Sequence, residues 1–565
     1  MAPAPAATLV ELRVLEGPNL YFPRPAIKVT IAIGGWQRAA GPTVTKAGLA
    51  LQVAAAAQPG PPRSEQRQRV VAKIAAATTR RLAALAGASR LAVRARSGDA
   101  VDTIVVAFPW RRRGSAEALG RALVLALGAG LRRAPDRVIA ELAAQVRAAE
   151  PGPEPTLPEP TTPVVQVTGT NGKTTTTRIV AHLVAAAGRR VAYSSTDGVY
   201  SGERRVKTGD YSGFGGATTA LAQRPDVAVL ETARGGMLLR GIGVQHNDVA
   251  VVTNVSADHL DLQGIHTVDQ LAEVKGLITT ITRPEGWNVL NADDPRVLAM
   301  RRHASGRTWL FSLDPEHPAI REVIASGGRA TTVIDGMVTV LAGSGVRKLV
   351  DVVDVPATLA GISSVNVSNV LAAASAALAV GLPSGAVATG LRTFVLDQDR
   401  NPGRANLYEL RGVVIVLDYA HNEAGMVGLT EILRGLRRPR AEVWLTIGTA
   451  GDRTDQILHA FAFRAALGCD HLFIAELERY LRGRTRGDVV AQLRAGAAEA
   501  GVTDVTVYPD ELTGLRASVA AARPGDVVGA TVLAMRTQVF RWLRRRGARR
   551  LTPADVKRLA RRAAT

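Results

Sequence analysis

A glycine-containing loop between an apolar run and a hydroxyl-rich run is the segment best suited to bind phosphate. Its residues, Val164-Val-Gln-Val-Thr-Gly-Thr-Asn-Gly-Lys-Thr-Thr-Thr-Thr177, predict a strand, a tight turn and the start of a helix. Gly169 and Gly172 let the backbone turn and present N–H groups to phosphate oxygens, and the helix adds its positive N-terminal dipole. Lys173 would neutralise the terminal phosphates and Thr174 would hold Mg²⁺. The segment therefore predicts a nucleotide site that uses magnesium.

Two further apolar runs deliver polar residues at their ends. Glu231 follows the run Val227–Leu230, and His259 follows the run Val249–Thr253. In a parallel sheet such ends gather at one edge, where a carboxylate and an imidazole can bind a metal ion beside a phosphate. The alternatives are a helix-start charge that pairs Glu231 with Arg234 and a purely structural role for His259.

Two more polar residues follow in the same part of the chain. Lys275 lies in a predicted helix, Thr267–Thr280, and is one of few lysines in a chain rich in arginine. Asn291 follows a predicted strand, Trp287–Leu290, and its amide could meet a nucleotide base. A surface charge is the alternative for Lys275, and turn chemistry is the alternative for Asn291.

The elements that must position these residues fall on either side of a proline-rich segment. Residues 150–163 are too rich in proline to continue a helix and predict a semi-rigid spacer. Before the spacer, the pattern predicts a small α+β domain, residues 1–149, with strands and helices at Val10–Leu15, Ile27–Ile33, Ser64–Leu85 and Ser115–Arg132.

After the spacer, apolar strands alternate with alanine-rich helices, which predicts a mostly parallel sheet covered on both faces. Strands at Val413–Leu417 and Val443–Ile447 predict a Rossmann-like domain that begins near Asn401. A length of 565 residues suits three domains. The predicted fold class is α/β, with a central domain over residues 164–400 and a C-terminal domain with a basic tail over residues 401–565.

Composition narrows the classes of function. The net charge of +21 attracts polyanions, but arginines are spread over the whole chain and aromatic residues make up only 4%, so stacking on nucleic-acid bases is not expected. The arginines of the C-terminal tail are either solvated helical surface or a grip for an acidic polymer. No apolar run predicts a membrane span, Cys469 is the single cysteine, and the N-terminus has no signal-peptide pattern, so we expect a cytoplasmic location.

The combined motifs resemble the Mur ligase superfamily, whose phosphate loop reads Gly-Thr-x-Gly-Lys-Thr, as Gly169–Thr174 does. Val167 stands where the general phosphate-loop pattern has a glycine, and this departure fits the superfamily's variant. Within it, the motifs are most similar to the C-terminal half of the cyanophycin synthetases: Ser195–Tyr200, Leu230–Gly236, Thr253–His259, Leu290–Asp294, Asn401–Arg404, Leu417–Asn422, Gly451–Arg453 and Leu481–Arg484. Leu15–Tyr21 also resembles a stretch near their start, whereas their ATP-grasp domain has no counterpart between the two regions.

This resemblance implies ATP and Mg²⁺ as cofactors and gives each matching residue a role. Lys173, Glu231, His259 and Lys275 take catalytic positions, and the last matches a lysine that many members carbamylate. Thr174, Glu231 and His259 match metal ligands. The implied ATP-binding residues are Gly169, Thr170, Asn171, Gly172, Lys173, Thr174, Thr175, Asn291 at adenine, Arg404 at the phosphates and Asp418 at the ribose.

The resemblance also implies that the C-terminal domain closes over ATP and selects the incoming amine. His421, Asp452 and Arg453 are the matching residues for that substrate. The family motif around His421 often continues to proline, whereas here Glu423 stands in that place. Specificity for arginine as the amine therefore does not carry over.

The implied function is an ATP-dependent amide or isopeptide ligase. It would join an amino acid or amine to a carboxylate of an acidic, peptide-like acceptor through an acyl phosphate, with release of ADP and phosphate. Arg234 and Arg240 would hold the acceptor carboxylate bidentately or simply pair with surface acids. The alternatives are a nucleotide-regulated binding or scaffold subunit without ligase activity and a ligase of cell-wall precursors. A homo-oligomer is compatible with the sequence.

Overall fold

The computed structural model describes residues 5–131, 135–481 and 483–564. Contacts divide the chain into two compact units. The first comprises Met1–Pro160 with the later segments Gly213–Thr218 and Arg234–Gln245, and the second comprises Thr161–Ser212, Thr219–Ala233 and His246–Thr565. The N-terminal segment of the first unit thus ends inside the predicted spacer. Two later segments of the chain also belong to this unit. The predicted boundary at residue 400 falls inside the second unit and stays a prediction.

The first unit is built on an antiparallel sheet in the order β1-β2-β4-β3, with α3 and α4 packed against it. Its core contains Trp36, Ile74, Phe108 and Leu123. Up to the end of the spacer, the helices and strands are β1 (Thr8–Leu15), β2 (Ala26–Ala32), α1 (Gly34–Arg38), α2 (Gly41–Leu49), a 3₁₀ turn at Ala54–Ala57, α3 (Glu65–Leu85), β3 (Arg94–Ser97), β4 (Thr103–Pro109), α4 (Arg113–Ala129) and α5 (Pro135–Ala148).

Helix α3 shows why these boundaries arise. The Ser64 hydroxyl accepts a hydrogen bond from the Arg67 N–H and satisfies a free donor of the first turn, as expected for a serine before an apolar periodic run. The Arg67 side chain is buried, and its guanidinium donates to the carbonyls of Trp36, Ala39, Pro59 and Gly60. Because an unbonded buried charge is costly, these bonds fix the loop before α3 over the core.

The central region, residues 161–393, contains the phosphate loop. Its helices and strands are β5 (Val164–Thr168), α6 (Lys173–Ala186), β6 (Val191–Ser195), β7 (Gly198–Ser201), β8 (Arg204–Thr208), α7 (Phe214–Leu221), β9 (Val227–Glu231), α8 (Arg234–Arg240), β10 (Asn247–Val252), α9 (Val268–Thr280), β11 (Thr282–Asn291), α10 (Pro295–Ala299), β12 (Arg307–Phe311), α11 (Pro318–Ala325), β13 (Arg329–Ile334), β14 (Met337–Ala342), β15 (Gly345–Asp351), α12 (Ser364–Ala379) and α13 (Ser384–Thr393), with 3₁₀ turns at Met300–Arg302, Val352–Asp354 and Pro356–Thr358.

One mixed sheet runs through this region in the order β15-β14-β13-β12-β11-β10-β5-β9-β6-β7-β8. Strands β6, β9, β5, β10, β11, β12 and β13 pair in parallel, and the hairpins at both margins are antiparallel. Strand β5 is buried along its whole length between β9 and β10. The carboxyl ends of these three neighbours therefore lie side by side, which is where ligands bind in such sheets.

The C-terminal region forms a second, mostly parallel sheet in the order β20-β19-β18-β21-β17-β16-β22, with antiparallel pairing at β16 and β22. Its helices and strands are β16 (Asn406–Leu410), β17 (Val413–Asp418), α14 (Glu423–Leu436), β18 (Val443–Ile447), α15 (Asp455–Leu467), β19 (His471–Ala475), a 3₁₀ turn at Glu478–Tyr480, α16 (Arg486–Glu499), β20 (Thr506–Tyr508), α17 (Glu511–Ala521), β21 (Val527–Thr531), α18 (Arg536–Arg545), β22 (Arg549–Arg550) and α19 (Pro553–Ala564).

The predicted α/β class with mostly parallel sheets is confirmed. The helix predicted over Ser115–Arg132 is wrong at its end, because α4 stops at Ala129 and Gly130 caps it. Arg132 lies outside the described residues, as does Arg482 of the predicted motif at 481–484. Within the described ranges, none of the helices has the length and apolar character needed to cross a membrane.

Candidate active site

The phosphate loop adopts a conformation that only its glycines allow. Gly169 has φ +150°, and a Cβ there would lie 1.8 Å from the Thr253 hydroxyl; Gly172 has φ +85°, and a Cβ there would lie 2.2 Å from the Asn369 amide oxygen. Helix α6 begins directly after Gly172, at Lys173. The loop is therefore a tight backbone turn at a helix N-terminus, as phosphate binding requires.

Neighbouring strands hold this loop in shape. The Asn171 N–H donates to the Asn254 amide oxygen over 2.9 Å, and the Thr253 hydroxyl donates to the Asn171 carbonyl over 2.6 Å. The Thr170 hydroxyl donates to the Ser256 carbonyl over 3.1 Å. Lys173 folds back so that its ammonium group donates to the Thr170 carbonyl over 2.9 Å. The loop is thus rigid on the side of β10.

Thr174 and Glu231 meet at the adjacent carboxyl ends of β5 and β9. The Thr174 hydroxyl donates to the Glu231 carboxylate over 2.9 Å, and Thr196 donates to the same carboxylate through its N–H over 3.2 Å and its hydroxyl over 2.9 Å. Glu231 is only 1% exposed. A hydroxyl beside a buried carboxylate is a donor set that suits Mg²⁺, so the fit to that ion is good for this pair.

Lys275 and Asn291 lie under the same edge of the sheet. Lys275 is buried in α9, and its ammonium group donates to the Gly169 carbonyl over 2.6 Å. The capping box of Thr267 and Gln270 starts α9 and sets this placement. Asn291 is also buried: its amide N–H donates to the Thr253 carbonyl over 2.8 Å, and its oxygen accepts from the Asp293 N–H over 3.0 Å. Both ends of the Asn291 amide therefore have partners inside the protein.

Residues that precede β16 approach the phosphate loop from the C-terminal region. The Arg404 guanidinium donates to the Thr174 hydroxyl over 3.1 Å, and the Asn401 amide donates to the Thr175 hydroxyl over 3.2 Å. The Asp418 carboxylate accepts from the Ala405 N–H over 2.8 Å, and burial raises the pKa of this carboxyl to about 6. Arg404 and Asn401 thus contact Thr174 and Thr175 at the phosphate loop, and Asp418 fixes the backbone next to Arg404; the ATP-binding roles that the resemblance implies for Arg404, Thr175 and Asp418 stay predictions.

A second cluster gathers His259, His421, Asp452 and Arg453 around Asp258. His259 Nδ1 lies 3.3 Å from Asp452, His421 Nε2 lies 3.4 Å from Asp258, and Arg453 pairs with Asp452 at 2.8 Å and with Asp258 at 3.4 Å. His259 has a positive φ of +50°, a conformation that residues other than glycine adopt rarely and often at functional sites.

Burial and neighbouring charges act in opposite directions on the pKa of Asp258. Burial by itself would raise the pKa of Asp258, but the hydrogen bond from His421 and the charges of His259 and Arg453 hold it well below its usual range. Burial lowers the pKa of His421. The buried Arg453 Nε has no hydrogen-bond partner among the described residues, and the Asp258 oxygen that lies 3.4 Å from Arg453 Nη2 accepts no hydrogen bond there. Such unbonded polar atoms point to a polar ligand.

Two family models match the regions that carry these residues. The family model of the Mur ligase middle domain matches residues 167–377, and that of the Mur ligase glutamate ligase domain matches residues 403–531, together more than half of the chain. The chain belongs to the Mur ligase family. The phosphate loop and Glu231 fall in the matched middle domain, whereas Arg404, Asp418 and the residues around Arg453 fall in the matched ligase domain.

The curated relatives match this chain over different shares of their own length. Cyanophycin synthetase of Crocosphaera subtropica is 39% identical over 327 residues, which are 58% of this chain and 37% of that protein, and the Synechocystis enzyme of that name is 38% identical over 353 residues, 61% of this chain and 40% of that protein. This chain thus spans less than half the length of those relatives. UDP-N-acetylmuramyl-tripeptide synthetase of Deinococcus radiodurans is 29% identical over 377 residues, 65% of this chain and 71% of that protein.

Solved structures support the Mur ligase fold. Escherichia coli FolC in complex with DHPP and ADP superposes with a TM-score of 0.52 at 19% identity, covering 69% of this chain and 90% of that chain. A bifunctional folylpolyglutamate synthase/dihydrofolate synthase with Mn, AMPPNP and L-glutamate bound gives a TM-score of 0.51 at 19% identity, covering 68% and 89%. At this identity the likeness concerns the fold.

Arg234 and Arg240, the predicted acceptor residues, begin and end α8 in the first unit. Arg240 pairs with Glu16 at 2.7 Å and lies over the Phe214 ring at 4.5 Å. This is the pairing with a surface acid that the sequence left as an alternative. Arg240 also lines a cavity of about 460 Å³ in that unit, together with Leu9, Leu12, Arg13, Val14, Glu16, Arg113, Glu117 and Arg121.

Several residues of the Mur ligase site escaped the sequence prediction. Thr196 binds Glu231, and Asn369 closes against Gly172 from α12. Thr196 stands inside the motif Ser195–Tyr200 that carries the resemblance, so its place in that motif was a usable signal. Asn369 lies on a buried helix face without any local pattern, and only the tertiary packing reveals it.

Proposed function

We propose that this chain is an ATP-dependent carbon–nitrogen ligase that joins an amino acid or amine to a carboxylate of an acidic, peptide-like acceptor. The observation that carries the proposal is the Thr174 hydroxyl, which is shared by Glu231 at 2.9 Å and Arg404 at 3.1 Å. This contact supports the proposal, because the pair that would bind Mg²⁺ shares one hydroxyl with a guanidinium from the C-terminal region. Membership of the Mur ligase family supports the reaction class.

The first half-reaction transfers the γ-phosphoryl group of ATP to the acceptor carboxylate, which gives an acyl phosphate and ADP. The N–H groups of Thr170–Thr174 and the α6 dipole would bind the phosphates, and Lys173 would leave the Thr170 carbonyl to reach the terminal phosphate. Thr174 and Glu231 would hold Mg²⁺, which supplies charge neutralisation at the transferred group, and His259, the third predicted ligand, would have to turn from Asp452 to join them. Arg404 would add positive charge from the opposite side.

In the second half-reaction the substrate's ammonium group first loses a proton, and the neutral amine nitrogen then attacks the acyl carbon, forms the C–N bond, loses a second proton and expels phosphate. The cluster of Asp258, His421, Asp452 and Arg453 suits the incoming amine, because its two carboxylates can attract an ammonium group and its guanidinium can meet a carboxylate. Asp418 would accept a hydrogen bond from a ribose hydroxyl. Asn291 would contact adenine with the part of its amide group that is not bonded to Thr253 or Asp293. A reaction that consumes ATP suits the expected cytoplasmic location.

The identity of both substrates can be tested directly. Phosphate release from Mg²⁺ and ATP would be measured across a matrix of acidic acceptors and amino acids, with mass spectrometry of the products. We expect release only when both cosubstrates are present, together with a product whose mass equals their sum less one water. Lys173→Ala should abolish release, whereas Lys348→Ala, which removes an exposed lysine paired with Asp335, should not.

Two other outcomes would contradict the ligase. Steady ATP hydrolysis that needs neither cosubstrate would indicate a nucleotide-driven switch, and nucleotide binding without turnover across the matrix would indicate a scaffold subunit. Turnover only with nucleotide-linked muropeptides would indicate a ligase whose acceptor is a cell-wall precursor. The tripeptide synthetase of Deinococcus radiodurans would then be the enzyme to compare.

A further inference from the structure

Three arginines surround one aspartate beside the nucleotide loop. Asp197, in the turn between β6 and β7, pairs with Arg178 of α6 at 3.0 Å, with Arg536 at the start of α18 at 2.7 Å and with Arg404 at 3.6 Å. Asp197 is only 9% exposed and Arg178 only 3%. The group is therefore a built, mostly buried cluster and not a chance surface pairing.

Two of these arginines also hold the backbone that carries the third. The Arg178 guanidinium donates to the Arg400 carbonyl, and the Arg536 guanidinium donates to the Pro402 carbonyl over 3.1 Å. Arg404 follows directly, with its guanidinium over the Tyr419 ring at 4.9 Å. The segment before Arg404 is thus tied at two points, and both ties end on the carboxylate of Asp197.

The charges in this cluster do not balance. Three guanidinium groups share a single carboxylate, and two of their nitrogen atoms, Arg178 Nε and Arg404 Nη1, have no hydrogen-bond acceptor among the described residues although they are buried. Like charges at such distances repel, so the carboxylate is what keeps the guanidinium groups together. Arg404 also donates to Thr174, so the surplus positive charge lies next to the phosphate loop.

We propose that Asp197 is a positioning residue whose carboxylate holds the Arg404 guanidinium at Thr174, ready for the terminal phosphate of ATP. This inference rests on the proposed function, because it concerns how the same site binds the terminal phosphate of ATP. Arg178 and Arg536 complete the device by fixing the segment that bears Arg404. The Asp197 carboxylate would thus favour phosphate binding, although it is negatively charged, because it fixes the position of the Arg404 guanidinium.

The sign of one affinity change tests this idea. A carboxylate that merely lies near the nucleotide repels phosphate, so its neutralisation would tighten ATP binding. A carboxylate that positions Arg404 does the opposite, and we expect Asp197→Asn to weaken the binding of Mg²⁺-ATP, measured by calorimetry, about tenfold, because the 3.6 Å ion pair that holds the Arg404 guanidinium is lost. Asp226→Asn, which removes an exposed partner of Arg190, is the matched control and should leave the affinity unchanged.

A double-mutant cycle completes the test. In an Arg404→Ala background, Asp197→Asn should have no further effect on the affinity for ATP, because the arginine through which it acts is gone. Equal effects in both backgrounds, or tighter ATP binding by Asp197→Asn, would overturn the proposal. Arg536→Gln, at a partly exposed position, supplies a second variant if Asp197→Asn does not fold, and it should weaken binding in the same direction and only when Arg404 is present.

These readouts separate the inference from the ligase itself. If the wild-type chain binds ATP but forms no product with any cosubstrate, the ligase fails while the cycle still decides the role of Asp197. If the wild-type chain binds no nucleotide, both fail together.

Discussion

Asn171 in the phosphate loop and Asn422 at the start of α14 exchange two side-chain hydrogen bonds, with N–O distances of 3.0 and 3.2 Å. The two residues are 251 positions apart in the chain. Asn422 also caps α14, because its amide oxygen accepts from the Gly425 N–H over 2.9 Å. A single buried amide therefore connects the nucleotide loop to the region that the family model assigns to the ligase domain.

This amide pair predicts the behaviour of Asn422→Asp. The carboxylate keeps the cap of α14 but cannot donate to Asn171, and it places a negative charge at the phosphate loop. We expect affinity for ATP to fall about tenfold, as binding calorimetry would show, and the thermal midpoint to fall as well because the new charge is buried. Ser64→Asp, which adds the same charge at the cap of α3, is the control. An unchanged affinity would mean that Asn422 faces no phosphate.

Glu231→Gln should change the requirement for magnesium. The amide side chain occupies the same volume and can still bond to Thr174 and Thr196, but it is a poor ligand for a divalent cation. We expect the half-saturating Mg²⁺ concentration for phosphate release to rise at least about tenfold, while the fold is retained. Glu322→Gln, which removes an exposed partner of Arg301, should leave the magnesium dependence as it is. A normal magnesium dependence in Glu231→Gln would rule out Glu231 as a ligand.

Lys275→Met removes the cation behind the phosphate loop. The methionine can fill the buried space of α9, but the Gly169 carbonyl loses its 2.6 Å donor and the loop loses a positive charge. We expect slower phosphate release and weaker binding of ATP, each by about tenfold or more. Lys557→Met, at an exposed lysine that pairs with Asp354, serves as the control. If Lys275→Met binds ATP normally, the lysine acts only on the acceptor half of the reaction.

Asp418 predicts a pH dependence of stability. Its folded-state pKa of about 6 lies above the ordinary value of 3.8, so the folded protein retains a proton that the unfolded chain has lost between these two values. The contribution of this residue is therefore complete below about pH 4 and is lost as pH rises through about 6. Asp418→Asn cannot ionise, so its thermal midpoint relative to wild type should rise between pH 4 and pH 7. A constant difference across that range would contradict the shifted pKa.

The local parts of this site are predictable from sequence. The strand, turn and helix around Gly169 follow from an apolar run, two glycines and hydroxyl residues that lie next to each other in the chain. The helix predicted over Thr267–Thr280 is observed as α9, Val268–Thr280, and the structure shows that a capping box of Thr267 and Gln270 fixes its start. Glu231 and His259 were placed at strand ends, but the structure brings only Glu231 to Thr174 by direct contact, whereas His259 faces Asp452.

Contacts between distant segments were not predictable in the same way. The pairing of Arg178 and Arg536 with Asp197 joins α6, a β-turn and α18, and each arginine lies in an ordinary helical context in the sequence. The internal partners of Asn291 were likewise not predictable: its amide donates to the Thr253 carbonyl and accepts from the Asp293 N–H. Side-chain partners of this kind depend on packing, which one-dimensional patterns do not encode.

The first unit includes segments that lie far apart in the chain, and this affects which fragments can be expressed. The Arg240 carbonyl accepts from the N–H groups of Glu16 and Gly17 at the end of β1, and a Cβ on Gly17 would lie 1.8 Å from the Ile242 carbonyl oxygen. A truncated gene that stops at residue 160 would encode the sheet and its helices but omit this late segment. Such a fragment would leave two backbone donors and a closely fitted glycine uncovered, so a soluble N-terminal fragment needs residues 234–245 supplied through a linker or as a synthetic peptide.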